Sequence, residues 1–180
     1  VYANGWYSNP ASPDVISAEA KEVVSMGYTA LKFDPFGRVA YSTISPHEAQ
    51  LSIDRVAAVR EAVGPSVDIL IEGHARFNVY TAVALARRME TYSPFWYEEP
   101  VSQENISEMK QVRDRINIPV ATGERLYLKY PFFELVRNEA ADILQPDVCN
   151  VGGITELYKI GAIAESQHIM IVELILRRKS

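Results

Sequence analysis

Three glutamates, Glu72, Glu98 and Glu124, stand 26 residues apart at each interval (98 − 72 and 124 − 98). Each follows a short apolar run: Asp68-Ile-Leu-Ile-Glu72, Phe95-Trp-Tyr-Glu98 and Pro119-Val-Ala-Thr-Gly-Glu124. That interval is about one βα unit, so three successive parallel strands would each bring one carboxylate to the same rim of a barrel. Three converging carboxylates stay ionised together only when a cation offsets their charge, and hard oxygen donors of this kind suit Mg²⁺. The competing reading is three unrelated surface glutamates, the common fate of any single Glu. The expectation is a metal site built from Glu72, Glu98 and Glu124.

The elements that must position these residues are written in the same pattern. β-branched or aromatic runs alternate with helical patterns from end to end, which predicts βαβ units and a parallel sheet of the α/β class. Strands are expected over 1–7, 29–34, 67–72, 95–98, 120–124, 143–147 and 169–172, and helices over 13–26, 46–63, 79–92, 104–115, 131–138 and 154–166. Ser12-Pro13 and Ser45-Pro46 each place a capping hydroxyl before a proline in the first turn, where the missing N–H costs nothing. Gly27 and Gly64 supply the stops. About seven strands and six helices fall short of a closed (β/α)₈ barrel of about 250 residues. The chain is therefore expected to be one incomplete TIM-type barrel over 1–180, without a capping domain and with an atypical tail at 173–180. Its open sheet edges invite pairing with another chain, so a homo-oligomer is expected.

Bulk composition narrows the partners. The 180 residues are 48% hydrophobic and 23% charged, as in a globular domain with one core. A formal charge of −5 argues against nucleic acid or an anionic membrane surface. The single cysteine, Cys149, excludes an internal disulfide and fits a reducing compartment; it reads as a small buried residue at a strand end. With no run long enough to span a bilayer and no signal-like leader, the expected location is the cytoplasm.

Glu72, Tyr97-Glu98-Glu99-Pro100, Gly123-Glu124-Arg125, Gln145-Pro146-Asp147 and Gly152-Gly153-Ile154 together resemble the barrel domain of the enolase superfamily, in its mandelate racemase and muconate lactonizing branch. Glu72-Gly-His74-Ala-Arg76 with Gly123-Glu124-Arg125 resembles the sugar-acid dehydratases of that branch, of the galactonate dehydratase type. The similarity covers 1–172. It implies a dehydratase acting on a small sugar acid: Mg²⁺ on Glu72, Glu98 and Glu124 holds the substrate carboxylate and stabilises the enediolate formed as the α-proton leaves. Glu72 stands where the family more often has Asp.

The resemblance also implies roles for individual residues. His74, two residues beyond Glu72 and on the same face if the backbone stays extended, matches the general acid that protonates the departing β-hydroxyl; read alone, it is a structural histidine. Lys32 either touches the substrate carboxylate or is a solvated strand-end lysine. Asp34 occupies the place of the second lysine in the Lys-x-Lys pattern of related enzymes and joins Arg76 and Arg125 as candidate substrate contacts. The two arginines could equally pair with the acidic rim. Asp147 matches the carboxylate of a His-Asp dyad, but the register puts Leu174 where its histidine belongs, and His168 precedes that strand and faces away from the rim. Gly152-Gly153 reads as a tight turn or as an anion cradle. Tyr127, Tyr130, Phe132 and Phe133 look like helix-packing residues. Two alternatives stay open: a racemase or epimerase, which needs a base on each face of the substrate, and an inactive metal-binding remnant.

Overall fold

The helices begin where side chains can satisfy free N–H groups. In the computed structural model, which describes residues 1–8, 11–37 and 42–172, Ser12 Oγ accepts from Val15 N ahead of helix α1 (Pro13–Ser25), and Ser45 Oγ accepts from Glu48 N ahead of α2 (Pro46–Val63). Asn78 and Asn105 do the same for α3 (Val79–Met89) and α4 (Ile106–Arg113). Gly27 and Gly64, both at positive φ, end α1 and α2 as expected. α5 (Lys129–Arg137) starts two residues earlier than expected, because the left-handed Leu128 turns the chain into it. α6 (Ile154–Glu165) follows Gly152 and Gly153, whose φ values of 99° and 96° make the tight turn; the N–H of Gly153 donates to Val148 O and is not free for an anion.

The strands are β1 (Ala30–Phe33), β2 (Asp68–Glu72), β3 (Trp96–Glu98), β4 (Val120–Thr122), β5 (Ile143–Leu144) and β6 (Met170–Ile171). They pair in chain order, all parallel. The strand expected over 1–7 is reduced to a single parallel bridge, Ala3 to Leu31, closed by hydrogen bonds of 2.9 Å on either side of Ala3. Among the described residues the sheet does not close, in keeping with a partial barrel.

Alternation along each strand divides the side chains between two environments. Leu31, Phe33, Ile69, Ile71, Tyr97, Val120 and Leu144 face the helices and form the main core. Leu70, Trp96, Ala121 and Ile143 form a second apolar layer on the other face, covered by Tyr2, Ala30 and Val172, with Tyr2 edge-on to Trp96 at 5.6 Å. By the same alternation Lys32, Glu72 and Glu98 fall on the inner face, at the C-terminal ends of their strands. Glu72 and Glu98 are direct register partners.

Candidate active site and metal centre

Above the inner apolar layer, carboxylate oxygens of Glu72, Glu98 and Glu124 lie within 4.8 Å of one another. The first two are buried at the ends of β2 and β3. Glu124 is half-buried and reaches the cluster from beyond β4, after Gly123 at φ 134°. The expected trio is thus brought together. Lys32 is not the exposed strand-end group that one sequence reading allowed: it is buried, with Nζ 3.0 Å from Glu72 Oε2 and 2.7 Å from Glu98 Oε1. Burial works to lower its pKa, but the carboxylates of Glu98 and Glu72 outweigh that and hold the ammonium well above its ordinary value.

Glu98 is pushed up to about 7, first by burial and then by the Glu72 charge, against the pull of Lys32. Two donors that sequence reading missed fix its second oxygen: Trp96 Nε1 at 3.1 Å and Gln145 Nε2 at 2.9 Å. Their inward register, two residues before Glu98 and two after Ile143, was the available signal. Beside the trio, Glu99 is fully buried and pushed up to about 8, by burial first and the Glu124 charge second. Arg125 Nε lies 3.1 Å from Glu99 Oε2 and 3.2 Å from Glu124 Oε1. Its N–H is directed to Glu124, so the Glu99 oxygens have charge compensation but no hydrogen-bond donor. Arg125 therefore pairs with the acidic rim, as the second sequence reading had it.

The donor set fits a divalent ion. Its carboxylates face one lysine from below and share Arg125 with Glu99, so acidic groups outnumber cations, and all the donors are hard oxygens. The raised pKa of Glu98 comes first from its burial and second from the neighbouring Glu72 charge.

His74 is on this rim, but not by the extended path expected. Strand β2 stops at Glu72; His74 and Ala75 have φ of 52° and 57°, left-handed for two non-glycine residues in succession. Glu72 Oε1 accepts from His74 N at 2.8 Å, and Glu99 O accepts from Ala75 N at 2.8 Å. The ring turns toward β1, where Nδ1 lies 2.9 Å from Asp34 Oδ2. That bond raises the His74 pKa against the opposing effect of burial. Asp34, expected as a substrate contact, is held within the protein, and Arg76 pairs with it, in line with the second of its two sequence readings. Asp34 is buried, accepts from Phe36 N at 2.9 Å and is bonded to Arg76; Arg76 also donates to Gly37 O and Gly73 O. Both side chains are spent on holding this corner.

Other expectations shift as well. Asp147 is buried and its Oδ1 accepts from Cys149 N at 2.7 Å, capping its own turn. No histidine partner meets it among the described residues, and Leu174 and the tail lie outside them. Cys149 is exposed, since the strand it was assigned to ends at Leu144. Of the four aromatics after β4 only Phe132 packs; Tyr127, Tyr130 and Phe133 are exposed. His168 lies with Asp68, Asp142 and Met170 at the N-terminal end of the sheet, away from the rim as expected. Among the described residues no helix is long and apolar enough to cross a membrane.

Comparison with known proteins agrees with the geometry. Residues 15–173 match the family model described as enolase C-terminal domain-like. The chain belongs to the enolase C-terminal domain-like family. Within the superfamily, it is 45% identical over 166 residues to the D-gluconate dehydratase of Thermoproteus tenax, covering 92% of this chain and 33% of that protein. It is 39% identical to the D-gluconate/D-galactonate dehydratase of Picrophilus torridus, covering 92% of this chain and 42% of that protein. A solved enolase-superfamily member from Salmonella Typhimurium superposes with a TM-score of 0.90 at 32% identity, over 97% of this chain and 49% of the other. The chain thus spans between a third and a half of the length of these relatives. The enolase-type barrel expected from sequence is the fold observed, in partial form.

Proposed function

We propose that the chain carries the acidic half of a Mg²⁺-dependent sugar-acid dehydratase. The observation that carries this reading is the convergence of Glu72, Glu98 and Glu124 within 4.8 Å, with a half-exposed imidazole, His74, on the same rim. The dehydratase names of the relatives from Thermoproteus tenax and Picrophilus torridus support it. Mg²⁺ bound by the three carboxylates would hold a substrate carboxylate and offset the charge that grows on its oxygens as the α-proton leaves.

The chain's own residues do the rest. Glu98 is oriented by Trp96 and Gln145, and Lys32 compensates one of the buried negative charges from below. His74 delivers a proton from Nε2 to the β-hydroxyl, the C–O bond breaks, and water departs. The α-proton goes to a base outside the residues assigned here, and the resulting enol tautomerises to a 2-keto-3-deoxy acid. A racemase needs a base on each face of the substrate. The position two beyond Lys32 is Asp34, already bonded to His74 and Arg76, which favours elimination. As part of the same reading, Asp147 and Arg125 flank the pocket, and the protein works in the cytoplasm as a homo-oligomer.

The test is incubation of the full natural protein with D-gluconate and D-galactonate and Mg²⁺, following appearance of the 2-keto-3-deoxy acid, beside His74→Asn. Turnover by the native protein, lost in His74→Asn with metal affinity retained, supports the assignment. Racemisation without loss of water would replace it.

A further inference from the structure

Asp34 has no part in metal binding, yet it gathers three donors in a buried corner: the N–H of Phe36 on Oδ1, and His74 Nδ1 and the Arg76 guanidinium on Oδ2. Asp34 forms an ion pair with the Arg76 guanidinium, and a carboxylate in such a pair only accepts hydrogen bonds. The 2.9 Å contact with Asp34 prevails over the 3.5 Å approach of Arg76 Nη2 to the same nitrogen, so the proton shared with His74 sits on Nδ1. The other ring nitrogen, Nε2, has no hydrogen-bond partner among the described residues, and the imidazole is 44% exposed.

We propose that Asp34 is a positioning residue for His74: it fixes the imidazole in the Nδ1–H tautomer and in one orientation, so that Nε2 is the nitrogen that meets the substrate, while Arg76 locks Asp34 in place. The backbone is arranged to the same end. Two left-handed non-glycine residues in succession are strained and are kept only where their surroundings over-determine them. Here the bonds from His74 N to Glu72 and from Ala75 N to Glu99 O hold the turn, and the turn carries the ring to Asp34. The carboxylate and imidazole follow the C-terminal ends of neighbouring strands, β1 and β2, so the pair depends on the sheet being assembled. The balance of the step is simple. The ring enters the step as the imidazolium, with a proton on each nitrogen; the Nε2 proton passes to the β-hydroxyl, the C–O bond breaks as water leaves, and the ring is left as the neutral Nδ1–H tautomer, still bonded to Asp34.

This inference rests on the dehydratase reading for its catalytic half but not for its tautomer half, and the test separates them. Nitrogen-15 spectra of the protein labelled in histidine, recorded at a pH where the rings are neutral, should give His74 a pyrrole-type Nδ1 and a pyridine-type Nε2. Asp34→Asn should shift it toward the other tautomer. In the full natural protein the same variant should lower kcat by about 100-fold or more with KM within about threefold, and leave Mg²⁺ affinity by calorimetry unchanged. An Nε2–H tautomer in the native protein overturns the proposal, as does Asp34→Asn with native kcat. If the native protein turns over no aldonate, the dehydratase reading falls and the ring spectrum still decides for or against Asp34. Should Asp34→Asn fail to fold, the native spectrum alone gives the same decision.

Discussion

Lys32 reaches from β1 past β2 to donate to Glu98 Oε1 on β3 at 2.7 Å, wholly inside the sheet. The buried lysine is therefore an internal counter-charge, placed beneath the carboxylates that would hold an ion. Removing one partner of a buried pair leaves the other uncompensated, at a cost of about 3–5 kcal/mol. Lys32→Met should destabilise the metal-free protein by about that amount, and saturating Mg²⁺ should recover much of it. Urea denaturation with and without Mg²⁺ measures both. An equal loss in the two conditions would mean the lysine is not compensating charge.

Glu98→Gln keeps an oxygen for the Trp96 and Gln145 donors while removing the charge. Affinity for Mg²⁺ or Mn²⁺ by calorimetry should fall about 100-fold or more, since a first ligand should matter at least as much as the outer partners, which are worth about 10- to 100-fold. Native affinity in this variant would remove Glu98 from the ligand set.

The pH dependence has a definite sign. Glu98 and Glu99 are raised to about 7 and about 8 in the folded chain, against an ordinary value of 4.5. Below the ordinary value both states are protonated. Between it and the raised values the folded chain holds protons that the unfolded chain has released, so stability falls as pH rises through about 7–8. The metal-free protein should lose Tm from pH 5 to pH 8, and Mg²⁺ should raise Tm more at pH 8 than at pH 6, because the ion competes with those protons. A flat Tm profile in thermal scans would contradict the excess-charge account of the cluster.

Gly73 sits where a Cβ would meet backbone: 2.6 Å from Glu99 O and 2.9 Å from Glu98 O. Its N–H donates to Glu98 O at 2.8 Å, so neither side can move without disturbing the carboxylate cluster. Gly73→Ala should cost about 1–3 kcal/mol and weaken ion binding. Gly161→Ala is the control. It lies inside α6 with open space around its Cβ and should stabilise the fold by about 0.5–1 kcal/mol. Chemical denaturation of the two variants checks the contrast.

The carboxylate trio was legible because it depends on two regular quantities, the length of a βα unit and the alternation of side chains along a strand. Ser12, Ser45, Gly27 and Gly64 were legible for a similar reason: each acts on backbone groups within a few residues. What escaped depends on local departures from regularity. His74 was placed beside Glu72 by assuming an extended chain, whereas the backbone turns left-handed there and swings the ring to Asp34. That Asp34 is the partner of Arg76 is not legible, because their pairing spans 42 residues and leaves no mark on sequence spacing. The opening strand shrank to one bridge at Ala3, and Cys149 came to the surface, because chain ends and strand ends are set by pairing partners and not by propensity.

Each strand from β2 to β6 pairs with the one just before it in the chain, so the sheet is built from successive βα units. Such pairing lets the sheet extend in chain order, unit by unit. Lys32, Glu72, Glu98 and Glu124 all belong to the portion ending just past β4, so the acidic nest and its lysine precede β5 and β6 in the chain, and among the described residues the Gln145 donor that steadies Glu98 is the one part of its setting supplied by a later unit.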